Sequence, residues 1–362
     1  MDEAAKTRLV GEIEFNAFSA SDLDGISRLI TTMSDGDAGL HLRDKSPAYY
    51  RWMYFDNPAG KAFGCYAKHG DRIVSSFAVA PKLMVMGGRT CRIGKTMDMF
   101  TDPDYQGTGL IKKCAERVFA EARANGVDGW YVTPSVNSYP IFKGKWGYQE
   151  PFELIFRARL LDPRAVLAAV SPGVAARLGP GMMNRLSRWP RRQLELPRGW
   201  VVRELNRFGA ETDALWDAVG SGHQLAVVRD AAYLNWRYVD NPDHYTIWAL
   251  QYLGAVRGIV VGKQTTRRGL PVGDIVDLVC AKDDAQTLRL LVRWAIDRFG
   301  AAGCAMVESW SINGTWFDRQ LRSAGLLIAR TKVPLLLSPD YPDPLLYDPG
   351  AWWLTQGDGN DV

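Results

Sequence analysis

A ten-residue string near the start of the chain recurs past its middle. YYRWMYFDNP occupies positions 49–58 and YLNWRYVDNP positions 233–242. Tyr49, Trp52, Tyr54, Asp56, Asn57 and Pro58 match Tyr233, Trp236, Tyr238, Asp240, Asn241 and Pro242. The stretches downstream of the two strings also run in parallel. Residues 90–101 read as a strand carrying Asp98, and residues 272–281 as its counterpart carrying Asp277. A helical pattern comes next, at 110–124 and again at 286–299, and then a strand, at 129–133 and 304–309. Asn137 and Gly147 close the first copy, and Asn313 and Gly325 echo them. A repeat of this length requires two copies of one domain fold.

The copies differ at one point. After its strand, the first has Asp102-Pro103-Asp104, where proline stops a sheet ladder, then Gln106-Gly107-Thr108-Gly109. An amphipathic helix succeeds it, with Leu110, Cys114, Val118 and Ala122 on one stripe and Gly126 just past its end. Strand, glycine loop and helix N-terminus together gather free N–H groups and the positive end of a helix dipole. That arrangement favours a phosphate. A Walker loop is excluded, because Leu110-Ile111 stands where Lys and Ser or Thr are required. The dinucleotide fingerprint is excluded, because only Gly107 and Gly109 are present. The second copy has Lys282-Asp283-Asp284-Ala285-Gln286 here, with two carboxylates and no glycine, which repels a pyrophosphate.

The stretch from Gln106 to Ile111 resembles the acyl-CoA loop of the GNAT acyltransferases, Gln/Arg-x-x-Gly-x-Gly/Ala, except that Ile111 replaces a small residue. Asn137 with Trp146-Gly147-Tyr148 looks like that family's closing segment. The resemblance covers about residues 13–160. It implies an α+β fold of two tandem GNAT-like domains, each a mixed, mostly antiparallel sheet flanked by helices. It implies an acyl-CoA co-substrate, acetyl-CoA first, and no metal. The edge at Met99, Phe100 and Thr101 would pair with pantetheine amides. The N–H groups of Gln106, Gly107, Thr108, Gly109, Leu110 and Ile111 would hold the pyrophosphate, with Asn137 as a further cofactor contact. Asp98 is the first candidate for general base and Glu150 a weaker second. A backbone N–H on Met99 or Phe100 would polarise the thioester. The family's tyrosine acid falls at Lys143 here, so Tyr139 or Tyr148 is the candidate acid.

The expected organisation is a catalytic domain over 1–160, a Pro/Arg-rich connector over 161–200, a degenerate copy over 201–340 and a tail over 341–362 whose end is disordered. Arg185, Arg188, Arg191 and Arg192 give the connector a basic face. A formal charge of +4 on 362 residues does not argue for nucleic acid. Five scattered cysteines without CxxC spacing suit a reducing cytoplasm. The four histidines have no metal-ligand spacing. No secretory leader or apolar run of spanning length is read. The expected acceptor is a small-molecule amine, such as an amino sugar or amino acid, and a homo-oligomer is compatible with the sequence. The alternatives are a longer acyl-CoA or acyl-carrier-protein donor, and a non-catalytic CoA-binding scaffold.

Overall fold

The structure, a computed structural model, describes residues 12–34, 46–174, 194–339, 341 and 343–359. The first half contains β1 (Ile13–Ala17), α1 (Leu23–Ser34), α2 (Pro47–Phe55), β2 (Phe63–His69), β3 (Arg72–Met86), β4 (Arg89–Thr101), α3 (Leu110–Ala124), β5 (Gly129–Val132), β6 (Leu154–Leu160) and α4 (Pro163–Val170). The second half contains β7 (Trp200–Leu205), α5 (Ala210–Val219), β8 (Leu225–Val227), α6 (Ala231–Tyr238), β9 (Thr246–Tyr252), β10 (Ala255–Arg267), β11 (Leu270–Cys280), α7 (Ala285–Ala301), β12 (Met306–Ile312), α8 (Trp316–Ala324), β13 (Ile328–Val333), β14 (Leu336–Leu337) and β15 (Trp352–Trp353). The basic residues at 185–192 lie outside the described residues.

Two mixed sheets result, as the α+β reading expects. One runs β1-β2-β3-β4-β5-β14, with β8 on the far end of β3 and β15 on β8. The other runs β13-β6-β12-β11-β10-β9-β7. Each has a parallel step along its main path, β4 with β5 and β11 with β12, and β15 is also parallel to β8. Chain order and sheet membership part company at 154–160. The sequence reading ends the first domain at residue 160, yet β6 lies between β12 and β13 of the second sheet. Arg157 on β6 holds it there, donating from Nε to Asp318 Oδ1 at 2.6 Å, with both side chains buried. In exchange, β14 pairs with β5 through Leu336↔Val132.

The repeated helices α2 and α6 meet face to face. Trp52 Nε1 donates to the Trp236 carbonyl at 2.6 Å, and Trp236 Nε1 donates to the Trp52 carbonyl at 3.1 Å. The indoles stack with centroids 5.0 Å apart. Such reciprocity is what a two-fold relation between equal units produces.

One apolar cluster fills the space between the units, and a second lies between the first sheet and α3. The stretch expected as a tail belongs to the first of these. Ala351, Trp352, Trp353 and Leu354 are buried, and Asp358 is only 4% exposed. Its two tryptophans outweigh its polar composition, and Arg229 gives Asp358 a buried partner at 2.9 Å. Residues 360–362 lie outside the described residues.

Candidate active site

The site is built on the strand β4. Its parallel register with β5 holds only at Ile93↔Gly129, Gly94↔Trp130 and Lys95↔Tyr131. β4 then continues to Thr101 with no strand on that side, which leaves a slot. Toward β3 the register passes from Ala78↔Met97 to Ser76↔Phe100, so Asp98 and Met99 together face Phe77. This is a β-bulge, and Asp98 takes its positive φ of 51°. Beyond the bulge, Phe100 pairs with β3 and the Asp102 N–H bonds to the Val74 carbonyl at 2.9 Å. Strand alternation then turns the backbone of Met99 and Thr101 toward the slot.

The loop comes directly after. Asp102 is buried, pairs with Arg72 and caps a short turn through the Asp104 N–H at 3.0 Å. Tyr105 is fixed by His69 Nδ1 at 2.7 Å, and the Thr108 hydroxyl donates to the Tyr105 carbonyl at 2.5 Å. Gly107 and Gly109 hold φ of 76° and 81°, a conformation that suits glycine. Leu110 is buried and anchors the start of α3. No side chain caps this N-terminus. Among the described residues, the N–H groups of Gly107, Gly109, Leu110 and Ile111 meet no acceptor. These donors and the dipole of α3 point at one exposed patch beside the slot. Gln106 leans back instead, its side-chain amide donating to the Thr101 carbonyl at 3.3 Å.

The remaining sequence candidates separate. Asp98 is buried and accepts from Tyr54 at 2.5 Å. Tyr139 lies on the surface in a three-membered network. Its hydroxyl donates to Glu150 at 2.8 Å and accepts from Lys143 Nζ at 2.7 Å, and Lys143 also reaches Glu150 at 2.8 Å. Glu150, then the Tyr139 hydroxyl, hold the Lys143 ammonium well above its usual range. Burial works against the Glu150 carboxylate, but hydrogen bonds from Lys143 and Tyr139 prevail and keep it below the usual range. Tyr148 is a core residue, packed edge-on against Phe142 at 5.1 Å. Asn137 is exposed, and its side chain bonds to none of the described residues.

Two neighbours of the slot escaped sequence reasoning. Lys95 is 1% exposed, donates to the Thr133 hydroxyl at 2.6 Å and lies 5.0 Å over the Tyr131 ring, closing the apex of the slot. Tyr54 belongs to the repeated string, but nothing in the string tied it to Asp98. Behind the slot lies a buried polar cluster that joins the units. Lys82 donates to the Asp358 carbonyl at 3.2 Å, as does the Tyr131 hydroxyl at 2.9 Å. Burial, relieved in part by Asp358, pushes the Lys82 pKa down to about 7. Among the described residues no group of His, Cys, Asp and Glu is placed to hold a metal.

A split parallel pair, a bulged strand and an uncapped glycine loop at a helix N-terminus define an acyltransferase of the GNAT type. Residues 40–150 match the family model described as an acetyltransferase (GNAT) domain. The match lies within the first unit. Solved structures of the same fold extend over both units. Saccharomyces cerevisiae N-myristoyltransferase with bound myristoyl-CoA is similar over 90% of this chain and 82% of that one, at 10% identity and a TM-score of 0.62. A probable N-acyltransferase from Enterococcus faecalis V583 is similar over 90% of this chain and 72% of that one, at 11% identity and a TM-score of 0.59. A GCN5-related N-acetyltransferase from Kribbella flavida is similar over 91% and 71%, at 14% identity and a TM-score of 0.55. No curated protein matches the chain. No described helix is long and apolar enough to cross a membrane.

Proposed function

We propose that the first unit transfers an acetyl group from acetyl-CoA to the primary amine of a small molecule, in a reducing cytoplasm, and that the second unit is a non-catalytic copy. The observation that carries this is the uncapped N-terminus of α3 beside the open edge of β4. The pyrophosphate would sit on the free N–H groups and the pantetheine arm along Met99 and Thr101. In the transfer, the C–N bond forms as the C–S bond breaks. Asp98 takes the proton of the attacking amine through a water, and Tyr139 gives one to the departing thiolate. Lys143 stands ready to stabilise the tyrosinate that this leaves. A backbone N–H of the bulge polarises the carbonyl.

A longer acyl donor is the second reading. It is favoured by the likeness to a fold that holds myristoyl-CoA in the yeast enzyme. Calorimetric titration with acetyl-CoA and with myristoyl-CoA decides between them. Acetyl-CoA binding that disappears with Gly107→Glu plus Gly109→Glu supports the proposal. Absence of binding by either donor sinks it.

A further inference from the structure

The second unit repeats the split strand pair and the bulge of the slot, without the positive φ of Asp98, but not its opening. β11 and β12 stay in register only at Val272↔Met306, Gly273↔Val307 and Asp274↔Glu308, so β11 runs on to Cys280 unaccompanied, as β4 does to Thr101. The bulge recurs, the register jumping from Gly262↔Ile275 to Val261↔Asp277. Counted from the two aspartates, Leu278 and Cys280 hold the places of Met99 and Thr101. Those are the residues whose backbone faces the slot in the first unit.

In the first unit the Thr101 carbonyl receives the exposed Gln106 amide at 3.3 Å, whereas in the second unit both of these carbonyls are taken by buried rings. Trp353 Nε1 donates to the Leu278 carbonyl at 2.9 Å. His223 Nε2 lies 3.1 Å from the Cys280 carbonyl, and since a carbonyl only accepts, Nε2 carries the proton. The two rings are 3% and 2% exposed and pack 4.6 Å apart, and Trp353 also lies 4.9 Å from Phe317 beyond the end of β12. Burial, then the charge on Arg229, push the His223 pKa down to about 4, so the imidazole stays neutral. The segment that brings Trp353 here is bonded along its length. Thr355 donates to Asp277 at 2.9 Å, Gln356 to Asp274 at 3.2 Å, and Arg229 to Asp358 at 2.9 Å.

We infer that the second unit is an acyl-donor slot closed from within, in which the indole of Trp353 and the imidazole of His223 supply the two N–H groups that the amides of a pantetheine arm would otherwise bring to the strand. The chain therefore binds one acyl-CoA. This rests on reading the first slot as a donor site. It also explains why a copy without phosphate-binding glycines keeps the split strand pair. The carbonyls exposed by the split need donors wherever no ligand provides them.

The test combines calorimetry with melting of the full chain. Titration with CoA is expected to give one equivalent per chain, and the Gly107→Glu plus Gly109→Glu variant is expected to bind none. Trp353→Phe keeps a ring but removes the N–H. It should lower Tm by roughly 3 °C or more. Trp353→Ala should lower it further, with added indole restoring part of the loss. Should Trp353→Ala fail to fold, Trp353→Phe and His223→Phe carry the stability arm. A second equivalent of CoA, binding that survives in the loop variant, or an unchanged Tm for Trp353→Phe each overturn the inference. No binding at all by the intact chain strikes instead at the donor-site reading on which it rests.

Discussion

Asp98 and Asp277 hold the same place on their strands, and both accept from the tyrosine of the repeated string, Tyr54 at 2.5 Å and Tyr238 at 2.8 Å. The tyrosine–aspartate pair is therefore part of the shared fold. The two carboxylates still differ in what surrounds them. Asp277 is 1% exposed and also receives Arg229, whose guanidinium is fully buried, and Thr355. Removing it leaves that buried guanidinium with Asp358 as its one remaining carboxylate partner among the described residues. Asp277→Ala should cost about 3–5 kcal/mol in urea unfolding. Asp98→Asn retains an acceptor for Tyr54 and should cost less than about 2 kcal/mol, while kcat falls at least tenfold with KM for the donor little changed. Equal stability losses, with no kinetic effect at Asp98, would assign it to structure alone. Lys82 gives a pH signature at the same scale. Its ordinary pKa is near 10.5 and the folded value about 7, so the unfolded chain holds more protons between those limits and stability rises with pH across them. Below pH 7 the full cost of burying the ammonium is present. The difference in Tm between wild type and Lys82→Met, recorded from pH 6 to 10, should shift in favour of wild type as pH rises. A flat difference would place Lys82 in contact with water.

At the scale of elements, β4, the glycine loop and α3 act as one device. A Cβ at Gly109 would meet no atom within 4 Å, yet its φ of 81° strains any other residue. Gly109→Ala should therefore cost only about 1 kcal/mol in stability. A methyl group on the face where the N–H donors converge should weaken CoA binding at least tenfold by calorimetry. Binding that weakens no more than stability does would detach the loop from the ligand. This device was legible because its signals are local: proline, two glycines and a 3.6-residue apolar stripe. The bounds 110–124 read from periodicity coincide with α3. Long-range pairing leaves no such mark. The sheet that β6 joins shows only in long-range contacts, the Arg157–Asp318 pair and the registers with β12 and β13. Lys95 carries no mark of its role in the strand read over 90–101, and is the buried bridge to Thr133. The segment at 351–358 falls in the expected tail because Ala-Trp-Trp-Leu followed by Thr-Gln-Gly-Asp carries no period. Its place is set by partners more than seventy residues away, such as the Leu278 carbonyl and Asp277.

Across the whole molecule, the two-fold meeting of α2 and α6 is the joint on which the units turn into one body. Trp52 and Trp236 are 4% and 5% exposed, stack on each other and exchange hydrogen bonds with each other's backbone. Around them run the exchanged strands β6 and β14, and the bonds from Lys82 and Tyr131 to the Asp358 carbonyl, all of which link the two halves of the chain. So many crossings predict a single cooperative unfolding transition, although the chain contains two copies of one fold. A double-mutant cycle isolates the joint. Each of Trp52→Ala and Trp236→Ala should cost about 3–5 kcal/mol, since each empties a large buried volume and leaves a carbonyl without its donor. The pair should cost less than the sum by about 1–3 kcal/mol, because the second truncation removes an indole whose partner has already gone. Coincident fluorescence and circular-dichroism transitions in wild type, with coupling of that size, are the expected result. Additive losses, or two separate transitions, would mean that the units fold independently and that the strand exchange, not the tryptophan pair, holds them together.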